Sequence, residues 1–156
     1  MPISTIDSTG IAAAGIARSN MYTGAILQVV SATYNTVTST TSTSFVTSNL
    51  AASITPTSST SKVLIILSTT VATLNGTTGI PVTIYRGGTN VAGGTTPITD
   101  LVTSGNNWSM SFNYLDSPAT TSSTTYTLYF RSSNGTIVYA NVTGYTPSLV
   151  LMEIAA

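Results

Sequence analysis

The side chains able to do acid–base, nucleophilic or metal chemistry are few, and their types decide most of the chemistry open to the chain. There is no histidine and no cysteine. Ser-His-Asp and Cys-His arrangements, and metal sites built on imidazole or thiolate, are thereby excluded. The side-chain carboxylates are Asp7, Asp100, Asp116 and Glu153. A glycosidase-type acid–base pair would have to be Asp100 with Asp116. Asp100, however, lies in a threonine-rich connection, and Asp116 opens Asp116-Ser117-Pro118, where an aspartate bonds its own turn backbone. Ser61 beside Lys62 suggests a Ser-Lys dyad, but adjacent residues of a strand point to opposite faces. No catalytic, cofactor-binding or metal-ligating residue is assigned, and the chain is not expected to be an enzyme.

Other motifs also have plain explanations. Gly87-Gly88-Thr89-Asn90 and Gly93-Gly94-Thr95 lack the lysine and following helix of a phosphate-binding loop and read as turns. The N-glycosylation patterns at Asn75, Asn107, Asn134 and Asn141 are expected by chance in a chain whose residues are about one-third serine and threonine. Exposed tyrosines such as Tyr129, among threonines and asparagines, could stack on sugars. An ordinary β-surface explains them as well, since strands favour tyrosine and threonine without any ligand.

The elements that would position these residues follow from composition. At 156 residues the chain is the size of one ordinary domain. Charged residues are 5% of it, against roughly a quarter in typical soluble domains, so solubility must come from hydroxyls and amides. With 42% hydrophobic residues a core can form. The longest apolar run, Val63-Leu64-Ile65-Ile66-Leu67, is far short of a membrane helix. The cations Arg18, Lys62, Arg86 and Arg131 form no basic footprint for nucleic acid or membrane. Met1 to Asp7 carries neither the basic nor the apolar region of a secretory signal, so export by that route is not expected.

Residues 1–24 read as a short extended arm, because Gly10 and Gly15 weaken any helix through the alanines between them. Residues 25–156 read as the domain. The expected strands are Ala25 to Tyr34, Ser44 to Ile54, Val63 to Leu74, Ile80 to Arg86, Ile98 to Thr103, Trp108 to Tyr114, Thr125 to Arg131, Thr136 to Val142 and Leu149 to Ile154. Alternation places Trp108, Met110, Phe112 and Tyr114 on one buried face, and turns Tyr126, Leu128 and Phe130 inward. Asn134-Gly135 is expected to close a hairpin. The pattern is all-β and leaves a sandwich, a jelly roll or a barrel open. Val63 to Leu67 and Leu149 to Ile154 are apolar on both faces, so something must cover the second face. For the C-terminal strand a subunit contact through Leu149, Leu151, Met152 and Ile154 is preferred to cover by its own chain.

Several stretches carry a likeness to a known family. They are Ile26-Leu27-Gln28-Val29-Val30, Thr43-Ser44-Phe45-Val46, Ile54 to Ile65, the block from Phe112 to Tyr126 containing Leu115-Asp116-Ser117-Pro118, and the ending Leu149-Val150-Leu151-Met152-Glu153-Ile154. In these the chain resembles the short jelly-roll virion proteins of tailed bacteriophages, which include capsid decoration proteins and tail-fibre tips. The resemblance covers most of residues 25–156, with no match from about Gly76 to Asn107. It implies an antiparallel jelly-roll sandwich of about eight strands that trimerises on the virion exterior. A short arm suits a decoration (cement) protein better than a fibre, with Pro2, Ile3, Ile6, Ile11, Ile16, Arg18 and Met21 gripping the major capsid protein. The alternative is a tail-fibre or receptor-binding module that recognises a host surface glycan. Neither reading requires a cofactor, nucleic acid or membrane.

Overall fold

A computed structural model describes residues 22–74 and 76–156. Every segment expected to be extended is a strand, because runs rich in Val, Ile, Thr, Tyr and Phe fit a pleated, half-buried surface. In chain order the strands are β1 (Ile26–Thr33), β2 (Thr38–Thr40), β3 (Val46–Ile54), β4 (Lys62–Thr73), β5 (Thr77–Arg86), β6 (Thr89–Asn90), β7 (Thr99–Ser104), β8 (Asn107–Asp116), β9 (Thr124–Phe130), β10 (Val138–Ala140) and β11 (Ser148–Ile154). They form a β-sandwich of a six-stranded sheet, here sheet A, and a five-stranded sheet, sheet B, with every pairing antiparallel.

The longer strands pair in a nested order. β1 pairs with β11, β3 with β9, β4 with β8 and β5 with β7. Outer and inner pairs are then stitched side by side, β11 to β4 in sheet A and β9 to β5 in sheet B. The short strands β2, β6 and β10 are additions at the margins, and neither β2 nor β6 was evident from patterning.

The core lies between the sheets. Val63, Ile65, Leu67, Leu149 and Leu151 project into it from sheet A, and Leu50, Ile54, Ile80, Val82, Ile84, Leu128 and Phe130 from sheet B, all essentially without solvent exposure. These alternate with outward residues along each strand, as in aligned sandwiches. At about 25 cal/mol per Å² of apolar surface, each such side chain contributes roughly 1.5–3 kcal/mol on burial. A polar tie also crosses the core edge: Asn141 donates from Nδ2 to the Ser48 carbonyl of β3 (2.7 Å), and its Oδ1 accepts from the Thr69 hydroxyl of β4 (3.3 Å). Asn141 is fully buried, which leaves no room there for a glycan.

Two local expectations need correction. Asn134-Gly135 does not close a hairpin, because β9 belongs to sheet B and β10 to sheet A. It forms a bend within a connection between sheets, where Gly135 takes φ 86° as a turn glycine does. Trp108 has the expected parity but is 48% exposed. It sits one residue from the start of β8, a strand paired on one side only, by β4, whereas Met110 further along is buried.

Candidate assembly surface

The register of sheet A fixes which residues share its outward face, because directly paired residues point to the same side. Val29 pairs with Met152, Met152 with Leu64 and Leu64 with Leu115, one apolar row across β1, β11, β4 and β8. The next row is Ser31, Val150, Ile66 and Asn113, and the row on the other side carries Ile26, Ile154 and Lys62. Ile26, Val29, Ile66 and Leu115 are among the most exposed large apolar residues described, with Val29 at 55% and Leu115 at 50%. The face then turns hydroxylic, with Thr33, Ser148, Ser68 and Ser111 in register. Among the described residues Lys62 is its sole charge. These exposed apolar rows, spanning four strands, make this face the candidate assembly surface.

Local chemistry keeps other charges off this face. Glu153 shares the inward parity of Leu149 and Leu151 and is fully buried. Its carboxylate accepts from the Thr57 amide N–H (2.7 Å), the Thr57 hydroxyl (2.6 Å) and the Gln28 side-chain amide (2.5 Å). Burial alone would push this carboxyl up. The hydrogen bonds from Thr57, Gln28 and Ser61 outweigh it and hold the carboxyl at about 2, well below the usual range. Asp116, at the end of β8, accepts on Oδ2 from Arg86 (2.7 Å) and from the Tyr126 hydroxyl (2.7 Å). Burial, reinforced by the bond to Asp116, pushes the Tyr126 phenol far up, so it remains a neutral donor.

The interface residues expected from the C-terminal strand separate by this alternation. Leu149 and Leu151 are in the chain's own core and cannot touch a neighbouring subunit, which corrects their assignment. Met152 and Ile154 lie on the outward face, joined by Val150. Val29, Leu64, Ile66 and Leu115 were not singled out in the sequence, although the two-sided apolar run Val63 to Leu67 was the signal for two of them. The arm residues Pro2, Ile3, Ile6, Ile11, Ile16, Arg18 and Met21 lie outside the described residues.

The carboxylates considered for catalysis are not brought together. Asp100 pairs with Pro81 midway along β5, while Asp116 contacts Arg86, the last residue of that strand. Five residues of strand span about 16 Å, well beyond the roughly 5–9.5 Å of a glycosidase pair. Ser61 is buried and Lys62 exposed, on opposite sides as expected. Among the described residues no group of three or more His, Cys, Asp or Glu could hold a metal ion. No protein-family model and no curated protein matches this chain.

Proposed function

We propose that this chain is a virion structural protein of a tailed bacteriophage: a homotrimeric decoration protein that stabilises the head shell from outside by non-covalent contacts. The observation that carries the proposal is the outward face of sheet A, apolar at one end, hydroxylic at the other and nearly free of charge. Such a face can be desolvated against a neighbouring subunit at little electrostatic cost. The nested pairing of the longer strands supports the finer reading of the sandwich as a jelly roll, a long antiparallel hairpin rolled into two facing sheets. Residues 1–24 form the arm in this reading, and their partner is the major capsid protein.

The mass in solution tests the assembly, and labelling tests the location. Light scattering should give three times the 16.0 kDa of one chain, and antibodies raised against the chain should label phage heads in electron micrographs. Labelling of the tail tip would favour the glycan-recognising fibre module instead. A monomer in solution together with unlabelled particles would overturn the proposal.

A further inference from the structure

On the opposite side of the molecule, the outward face of sheet B carries an aromatic cluster. Tyr129 pairs with Thr83 and Thr127 with Tyr85, which makes Tyr85 and Tyr129 diagonal neighbours on β5 and β9. Their rings stack with centroids 4.0 Å apart and 22° between planes. Phe45, just before β3, meets Tyr85 edge-on at 6.3 Å, and the Arg131 guanidinium lies 5.2 Å from the Phe45 ring centre. All four side chains are half-buried. Phe45, Tyr85 and Arg131, with Thr43, Ser44 and Thr95, line an open cleft of about 370 Å³, at the small end of ligand-site volumes, and Tyr129 backs Tyr85 from behind.

The wall bearing Thr95 is held in place by one side chain. Asn90 accepts on Oδ1 from the buried Thr83 hydroxyl of β5 (2.6 Å) and donates from Nδ2 to the carbonyls of Gly94 (3.1 Å) and Thr96 (2.8 Å). The loop after β6 is thus pinned onto the sheet before any ligand arrives, which lowers the ordering cost of binding.

Arg131 is the unbalanced element. Among the described residues Arg86 and Asp116 form the one ion pair, and Arg131 has no carboxylate within ion-pair distance. Its guanidinium donates to the Thr43 carbonyl in one long bond of 3.4 Å and has further donors to offer. A half-buried cation without an anion, beside ring faces and hydroxyl groups, matches one ligand chemistry. Aromatic faces take the C–H face of a sugar ring, hydroxyls match its hydroxyls, and a planar guanidinium pairs with a carboxylate through two parallel bonds.

We infer that the cleft lined by Phe45, Tyr85 and Arg131 binds a carboxylate-bearing saccharide, of the uronic or sialic acid type. It uses the sheet opposite the assembly face, so the site remains open when sheet A is covered, and it stands independently of the proposed assembly.

The test is ligand-observed NMR or calorimetry on the full chain with two matched pairs of probes: sialyllactose against lactose, and trigalacturonic acid against its methyl ester. At least one acidic probe should bind about 10-fold or more tighter than its neutral partner, the size expected for a hydrogen bond to a charged group. Arg131→Gln should remove that preference, Arg131→Lys should retain part of it, and Tyr85→Ala should weaken both members of the pair. The inference is overturned if neither acidic probe binds at about 10 mM, a concentration that reveals even weak sites, or if acidic and neutral probes bind alike. A folded Arg131→Gln variant that keeps the preference also overturns it. The comparison on the unaltered chain decides the question even if a variant fails to fold.

Discussion

Replacing Glu153 with glutamine should remove a pH-dependent part of the chain's stability without changing its shape. The folded carboxyl is held at about 2 against an ordinary value of 4.5. At about 1.4 kcal/mol per pH unit that gap corresponds to about 3 kcal/mol. The sign follows from the depressed value: above pH 4.5 both folded and unfolded chains carry the charge, and the folded one holds it in better bonds. As pH falls, the unfolded chain takes up a proton first, so the contribution drains away between about pH 5 and 2 and is absent below. In Glu153→Gln the Thr57 amide and hydroxyl can still donate to the remaining oxygen. The new amide, however, meets the Gln28 amide donor to donor, and Gln28 cannot turn without giving up its 2.7 Å bond to the Thr55 carbonyl. Urea unfolding of both proteins from pH 7 to pH 2 measures the effect. The unaltered chain should exceed the variant by about 3 kcal/mol at neutral pH, with the two converging near pH 2. A stability difference that stays constant across that range would refute the account of Glu153 as a buried, ionised anchor.

Leu151→Ala should cost about 2–5 kcal/mol by opening a cavity in the core, lowering the melting temperature. Met152→Asp, its neighbour on the outward face, should leave the monomer folded by circular dichroism but reduce the mass seen by light scattering. Tyr126→Phe should cost about 1.5–3 kcal/mol, the worth of a hydrogen bond to a charged group, because Asp116 loses a donor; thermal or urea unfolding reads it. Gly79→Ala should destabilise by roughly 1–3 kcal/mol through overpacking, since a Cβ there would stand 2.5 Å from the Ser133 hydroxyl and 3.0 Å from the Asp100 carboxylate. Unfolding curves of that variant unchanged from the original would mean that both neighbours move freely.

The strands were legible because alternation is a local property. Trp108-Ser109-Met110-Ser111-Phe112-Asn113-Tyr114 announces a two-sided strand wherever it sits. Which face of β11 turns inward was not legible, because Leu149 to Ile154 reads as apolar on both faces. The structure buries Glu153 with Leu149 and Leu151, and the reason is long-range: Thr57 and Gln28, 96 and 125 residues away in sequence, satisfy the carboxylate. The aromatic cleft was hidden in the same way. Tyr129 was noticed as an isolated surface tyrosine, but its company with Phe45 and Tyr85 depends on the register of β3, β9 and β5. At Asn134-Gly135 the local turn chemistry was read correctly, whereas the destination of the following strand was decided by the nested pairing. Trp108 was misjudged because parity gives direction but not whether the strand is paired on both sides, and β8 pairs with β4 alone.

The position of β11 has a consequence for how the chain is made. It lies between β1 and β4 in sheet A, and the backbone closes beside it through Gly24 N–H to the Ala155 carbonyl (2.8 Å) and Ala155 N–H to the Ala25 carbonyl (2.9 Å). During synthesis β1 emerges early and must wait for its partner until residues 148–154 leave the ribosome. Pairings of such long sequence separation are slow to form, and meanwhile the edges of β1 and β4 stand open to other nascent chains. Ribosomes that stop short of this strand release chains whose sheet A is split in two. Completion of sheet A therefore depends on β11, the last of the described strands to be synthesised.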